Sequence, residues 1–156
     1  MEKNELLYKK KTAFEKSEKP LDALQEACAY ATGYKAFLDA SKTEREAVTT
    51  AIAMAEKEGF KPFALGTKVK SGEKYYYNNR GKNLFLFVIG SESVENGIRI
   101  TAAHIDSPRL DLKPCPLYED NGISYLKTHY YGGIRKYQWL ATPLALHGVV
   151  VKANGE

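Results

Sequence analysis

The apolar positions of this chain change their period along its length, and the change predicts where helices give way to strands. Between residues 21 and 39, Leu24, Cys28, Ala31, Phe37 and Leu38, with alanines between them, recur at helical rather than alternating spacing. Pro20 stands where such a helix begins, and Gly33 weakens it without removing it. Cys28 reads as a small core residue of that helix. Ser41 followed by Glu44 forms a capping-box pattern. A second helix is therefore expected over residues 43–58, with Val48, Ile52 and Ala55 on one face and Gly59 as its stop.

Beyond residue 60 the helical period is lost. Tyr75, Tyr76 and Tyr77 precede Asn78-Asn79-Arg80-Gly81, a turn-like stretch. The continuous apolar run LFLFVI at 84–89 is expected as a buried strand. Residues 90–97 form a polar turn region, and residues 98–103 predict another strand that leads into His104-Ile105-Asp106-Ser107-Pro108. After Pro114 and Pro116 the texture shifts again: Tyr125, Tyr130, Tyr131, Tyr137 and Trp139 crowd a short region with Gly132-Gly133, followed by a mostly apolar run at 144–151. This tail reads as β-rich. It closes on Asn154-Gly155, a dipeptide that normally joins two strands of a hairpin, and no second strand follows. A chain cut short is the expectation. Two helices followed by strands make the fold class α/β.

A chain of 156 residues with 44% hydrophobic and 27% charged residues is of one-domain size and reads as soluble and globular rather than disordered. No window holds the roughly 18 consecutive apolar residues that suggest a membrane span. The first 16 residues, MEKNELLYKKKTAFEK, lack the apolar core of a secretory signal, and their mixed acidic content argues against a transit peptide. The cytoplasm is the default compartment. Cys28 and Cys115 lie far apart and form no CxxC pair, so no cysteine-based zinc or redox motif is visible. The net charge of +4 is modest, the lysines are scattered among glutamates, and the basic cluster Lys9-Lys10-Lys11 is short. No nucleic-acid or membrane partner is expected.

His104-Ile105-Asp106 is the strongest local signal for chemistry. On extended backbone, residues two apart point to the same face, so the imidazole and the carboxylate would lie side by side. A metal-bound histidine commonly gives the proton of its second ring nitrogen to a carboxylate, which fixes the tautomer and raises ligand basicity. The triplet alone is equally a surface ion pair or a hydrogen-bonded histidine. A serine-hydrolase relay from His104, Asp106 and Ser107 is excluded, because neighbouring side chains point to different faces. His129 and His147 are too distant in sequence, and without carboxylate spacing, to suggest a local zinc site with His104. The aromatic and basic run at 130–139 has the composition to stack bases, but aromatics in a β-core or an oligomer interface are commoner.

The wider segment sharpens the picture. TAAHIDSPRLDLKP at 101–114 resembles the His-x-Asp-Ser-Pro segment, followed shortly by Lys-Pro, of the aspartyl aminopeptidase-type zinc peptidases. THYYGG at 128–133, Trp139 and LHGVVV at 146–151 are similar, in order and distance, to the Tyr-Gly-Gly, Trp and Leu-x-Gly-x-Val stretch of that family. FLDA at 37–40 with TERE at 43–46 resembles the helical N-terminal region of its bacterial members.

The resemblance implies an α/β/α zinc-exopeptidase catalytic domain with a β-rich dimerisation domain inserted into it. Residues 1–113 would be the N-terminal part of the catalytic domain, and residues 114–156 the truncated beginning of the insertion. It implies two zinc ions per subunit, peptide substrates attacked at a free N-terminus (Asp or Glu in part of the family), and assembly into homo-oligomers. His104 maps onto the first zinc-binding histidine, and Asp106 onto the catalytic-site aspartate that orients its ring. A two-zinc site needs several further ligands and a general base. In this family they lie far downstream, and this sequence ends before them; His129 and His147 match no ligand position. The expected function is a zinc-dependent aminopeptidase that is incomplete, and inactive by itself, in this chain. The alternative is a non-catalytic α/β domain whose aromatic tail mediates self-association.

Overall fold

The computed structural model describes residues 11–155, so Lys9, Lys10 and the greater part of the first 16 residues lie outside the described residues. The chain divides into two compact units, Met1–Ala40 and Ser41–Glu156. The first contains helix α1, Pro20–Asp39, with the proline in its first turn, where its missing N–H costs nothing. α1 has no buried residue, and Cys28 is exposed rather than in a core. A lone helix has no second element in its own unit against which to bury a stripe.

The second unit opens with helix α2, Glu44–Lys57. Its capping box lies two residues downstream of the expected one. Thr43, in extended conformation, accepts a hydrogen bond from the Glu46 N–H, and the Glu46 carboxylate accepts from the Thr43 N–H at 2.9 Å. Both Ser41-x-x-Glu44 and Thr43-x-x-Glu46 satisfy the pattern in sequence. Ser41 itself is buried, with its hydroxyl unpaired. At the other end Gly59 adopts a positive φ of 83°. The Gly59 N–H bonds Glu56 O and the Phe60 N–H bonds Ala55 O, closing the helix as a Schellman motif. Ala47, Val48 and Ala55 face inward, and Val48 retains only 2% of its exposure.

α2 lies against a three-stranded sheet of β1 (Lys61–Pro62), β2 (Lys74–Asn79) and β3 (Asn83–Val88), with β1 parallel to β2 and β2 antiparallel to β3. The Tyr76 hydroxyl donates to Glu56 Oε1 at 2.8 Å and Lys74 Nζ donates to Glu58 O at 3.0 Å, pinning the C-terminal turn of the helix to β2. The expected turn joins β2 to β3. Arg80 and Gly81 both have positive φ, and the Gly81 N–H is held by Asn78 Oδ1 at 2.8 Å, a type I′ arrangement. On the face away from Tyr76, Phe63, Tyr75 and Phe87 pack edge-on and stacked, with centroids 5.2–5.9 Å apart. The run LFLFVI is a strand, as expected, over most of its length, but it is not buried: Phe85, Leu86 and Val88 are exposed. Its apolar residues alternate between two faces, and the covering within this unit is partial.

A 3₁₀ turn, Val94–Asn96, follows, and then a second sheet: β4 (Arg109–Asp120) paired antiparallel with β5 (Ile123–Tyr131). Pro114 and Pro116 sit in a register shift between Leu112 and Leu117, where Cys115 has a φ of 50°. A bulge is where a strand tolerates residues with no N–H to donate. The anticipated boundary between 113 and 114 falls inside β4. A short helix, α3 (Lys136–Trp139), follows the hairpin.

Two expected strands are absent among the described residues. Residues 98–103 have no assigned structure, and Ile98 and Ile100 are exposed. Residues 144–151 are likewise irregular, with Leu146 and Val150 exposed. An apolar run supplies a strand's side chains but not its ladder; it becomes a strand only beside an edge whose N–H and C=O groups it can pair. The architecture is mixed α/β, and among the described residues no helix is long and apolar enough to cross a membrane.

Candidate functional site

His104 lies in the irregular segment that leads into β4, so no strand places it. Its local partner does. Nδ1 lies 2.9 Å from the Asp106 carbonyl oxygen and 3.0 Å from Asp106 Oδ1. Both acceptors call for a proton on Nδ1, which leaves the Nε2 lone pair free. The imidazole is 83% exposed, whereas the Asp106 carboxylate is 29% exposed. The structure therefore brings together the two side chains the sequence singled out, with the histidine presented outward and the aspartate behind it.

The aspartate is anchored from the hairpin. The Tyr131 hydroxyl donates to Asp106 Oδ2 at 2.6 Å, a distance typical of a charge-assisted O–H···O⁻ bond. That bond, with a smaller one from His104, holds the Asp106 carboxyl below its ordinary range, and the same carboxylate raises the Tyr131 phenol. Tyr131 is the last residue of β5 and pairs in register with Arg109, the first of β4. The Arg109 guanidinium lies over the Tyr131 ring, 4.2 Å from its centroid. Arg109 is in turn gripped by Asp111 Oδ1 at 2.7 Å and by Glu44 Oε1, in the first turn of α2, at 3.2 Å. Gly132 makes this approach possible: with φ at 73°, a Cβ added there would lie 3.3 Å from the Pro108 Cα.

The sequence reading missed Tyr131, Arg109 and Glu44. Tyr131 was legible only as one of a crowd of aromatics, and its partner is 25 residues away. His129 faces Asp111 across the hairpin, with its Nε2 4.0 Å from Asp111 Oδ2. His147 bonds Glu46 Oε1 at 2.8 Å. Neither imidazole joins His104. A cleft of about 620 Å³ lies between the first turn of α2, the start of β4 and residues 143–149; Arg109, Trp139 and His147 line it and His104 does not.

The donor chemistry fits one position of a zinc site. His104 offers a free Nε2, and both Asp106 oxygens are already engaged, so Asp106 suits the orienting role rather than direct ligation. Among the described residues no three His, Cys, Asp or Glu side chains cluster to hold a metal ion.

A family model described as Aminopeptidase I zinc metalloprotease (M18) matches residues 37–156. The chain is 50% identical to a probable M18 family aminopeptidase 1 of Clostridium acetobutylicum, a match that covers 97% of this chain and 33% of that protein. It is 45% identical to the corresponding protein of Borrelia garinii subsp. bavariensis, over 81% of this chain and 28% of that one. Among solved structures, aminopeptidase I from Borrelia burgdorferi B31 superposes with a TM-score of 0.80 at 41% identity, covering 86% of this chain and 33% of that one. An M18-family aminopeptidase from Thermotoga maritima superposes with a TM-score of 0.81 at 37% identity, over 96% of this chain and 32% of that one. The chain thus spans about a third of the length of the curated relatives it matches.

Proposed function

This chain belongs to the M18 family of aminopeptidase I zinc metalloproteases, and from that premise we propose that it is the N-terminal part of a zinc-dependent aminopeptidase, with His104 as one zinc ligand and Asp106 as the residue that orients it. The observation that carries the assignment is the His104–Asp106 pair. Its Nδ1 is occupied by the aspartate, and its free Nε2 belongs to an imidazole that faces solvent. In a peptidase of this kind a bound zinc supplies Lewis-acid polarisation of the scissile carbonyl and a water acidic enough to ionise near neutral pH. The task of this chain's own residues is narrower. Asp106 keeps the proton on Nδ1, so that the imidazole offers a localised lone pair at Nε2. Tyr131 keeps Asp106 ionised and aimed. The remaining ligands and the general base belong to sequence beyond this chain, in keeping with its coverage of about a third of its relatives.

The substrate class is a peptide with a free N-terminus, with acidic first residues as the candidate preference. The chain from residue 114 on, which takes in most of β4 and all of β5, is assigned to the beginning of an inserted dimerisation domain, and the complete protein is a cytoplasmic homo-oligomer. No observation favours the non-catalytic alternative. The test is hydrolysis of a panel of aminoacyl peptides by the complete protein. Zinc-dependent release of N-terminal residues, abolished by a chelator and restored by zinc, is expected, with Asp and Glu compared against neutral residues. Absence of hydrolysis across the panel with zinc present would overturn the proposal.

A further inference from the structure

The His104–Asp106 pair does not stand alone. Asp106 spends one carboxylate oxygen on His104 Nδ1 and the other on the Tyr131 hydroxyl. An Asp side chain on irregular backbone has several rotamers open to it, and its local contacts are with His104 and its own N–H. Tyr131 holds the second oxygen from the end of β5. The tyrosine is itself restrained by the guanidinium stacked on its ring. Arg109 in turn bonds Asp111 within β4 and Glu44 on α2. A planar guanidinium can bond two carboxylates through separate nitrogens and stack on a ring at once, which an ammonium cannot.

Resting on the reading of His104 as a zinc ligand, we propose that Tyr131 and Arg109 are positioning residues for it: Glu44 and Asp111 fix Arg109, Arg109 fixes the Tyr131 ring, and the Tyr131 hydroxyl fixes the Asp106 carboxylate that sets the His104 tautomer. The relay crosses from α2 through the base of the β4–β5 hairpin to the imidazole. It gives the hairpin a part in assembling the metal site, separate from any part in self-association.

The relay can be read without metal. Nitrogen NMR of the histidine-labelled 156-residue chain, at a pH where the ring is neutral, reports the ratio of Nδ1–H to Nε2–H tautomers at His104. His129→Gln and His147→Gln variants assign the signals. The intact chain should favour Nδ1–H. Tyr131→Phe keeps the ring under Arg109 but removes the hydroxyl, and should lower the ratio by about fivefold, the equivalent of one net hydrogen bond. Arg109→Met should lower it in the same direction by less. Asp106→Asn sets the scale, since the amide cannot replace the carboxylate's charge. An unchanged ratio in Tyr131→Phe overturns the relay, whether or not Asp106→Asn moves it. In the one case Asp106 is aimed without Tyr131; in the other the Asp106 carbonyl alone fixes the ring. Backbone amide spectra of each variant confirm that the fold is retained; should Tyr131→Phe unfold, Arg109→Met alone decides, and an unchanged ratio there overturns the relay too. None of these outcomes bears on whether His104 binds zinc, which metal content measures separately.

Discussion

His147 Nδ1 lies 2.8 Å from Glu46 Oε1, joining residues 101 apart in sequence. The other oxygen of the same carboxylate accepts the Thr43 N–H at 2.9 Å as one half of the α2 capping box. One side chain therefore both starts a helix and ties the segment around residue 147 to it. The hydrogen bond from His147 is the main reason the Glu46 carboxyl is held below its ordinary value of 4.5, and the contacts from Thr43 add to it.

A carboxyl whose folded pKa is depressed contributes stability that is fully present above its unfolded value and is lost as pH falls through the folded one. Stability of the chain should therefore decline as the pH drops below about 4.5, and Glu46→Gln should flatten that decline. Thermal unfolding of both forms across the acid range checks it. An identical acid dependence in the two would show that Glu46 does not carry the linkage.

Thr43→Ala removes the hydroxyl that accepts the Glu46 N–H. Losing an N-cap of this kind costs about 1 kcal/mol. Ser41→Ala, at the position where sequence pattern alone would have put the cap, should cost less or stabilise, because its buried hydroxyl has no partner to lose. Urea unfolding of the two variants gives the order. A larger loss for Ser41→Ala would mean the helix starts two residues earlier.

Much of the helical half was legible because its signals are local. Pro20, the capping residues and Gly59 each act within one turn of helix, so their spacing in sequence is their geometry in space. The offset between Ser41 and Thr43 shows the limit: overlapping patterns cannot be ranked without knowing which residue leaves the helix in extended conformation. Strand prediction failed where pairing decides. Residues 98–103 and 144–151 have suitable side chains but pair with no strand edge, whereas β4 forms across two prolines because a bulge absorbs them. At the site, the His104–Asp106 contact was visible as an i, i+2 pair. Tyr131 and Arg109 were not, since nothing local marks the register that pairs them.

Gly132→Ala should disturb the site from outside it. The added methyl meets Pro108 at 3.3 Å and the residue must hold a positive φ, so either the backbone at Gly132 or the Pro108 segment has to move. A loss of about 1 kcal/mol in stability is expected. It should come with shifted amide resonances from Asp106 to Arg109. Unperturbed resonances there would show that the close approach is not maintained in solution.

The 156-residue chain by itself should neither hydrolyse aminoacyl peptides nor gain thermal stability from zinc, because no set of three or more metal-ligating side chains is clustered among its described residues. Peptidase activity sensitive to a chelator, in the purified chain, would contradict this.

The central claim, that His104 is a zinc ligand oriented by Asp106, is tested most directly by the zinc content of the complete protein and four single variants. His104→Ala should lose one zinc position and nearly all turnover. Asp106→Ala should keep its ligands but bind zinc about 10–100-fold more weakly, as is usual when the partner of a ligating histidine is removed. His129→Ala and His147→Ala should keep full occupancy, since those imidazoles are turned to Asp111 and Glu46 instead. A His104→Ala protein that retains the full zinc complement and unchanged turnover would contradict the assignment.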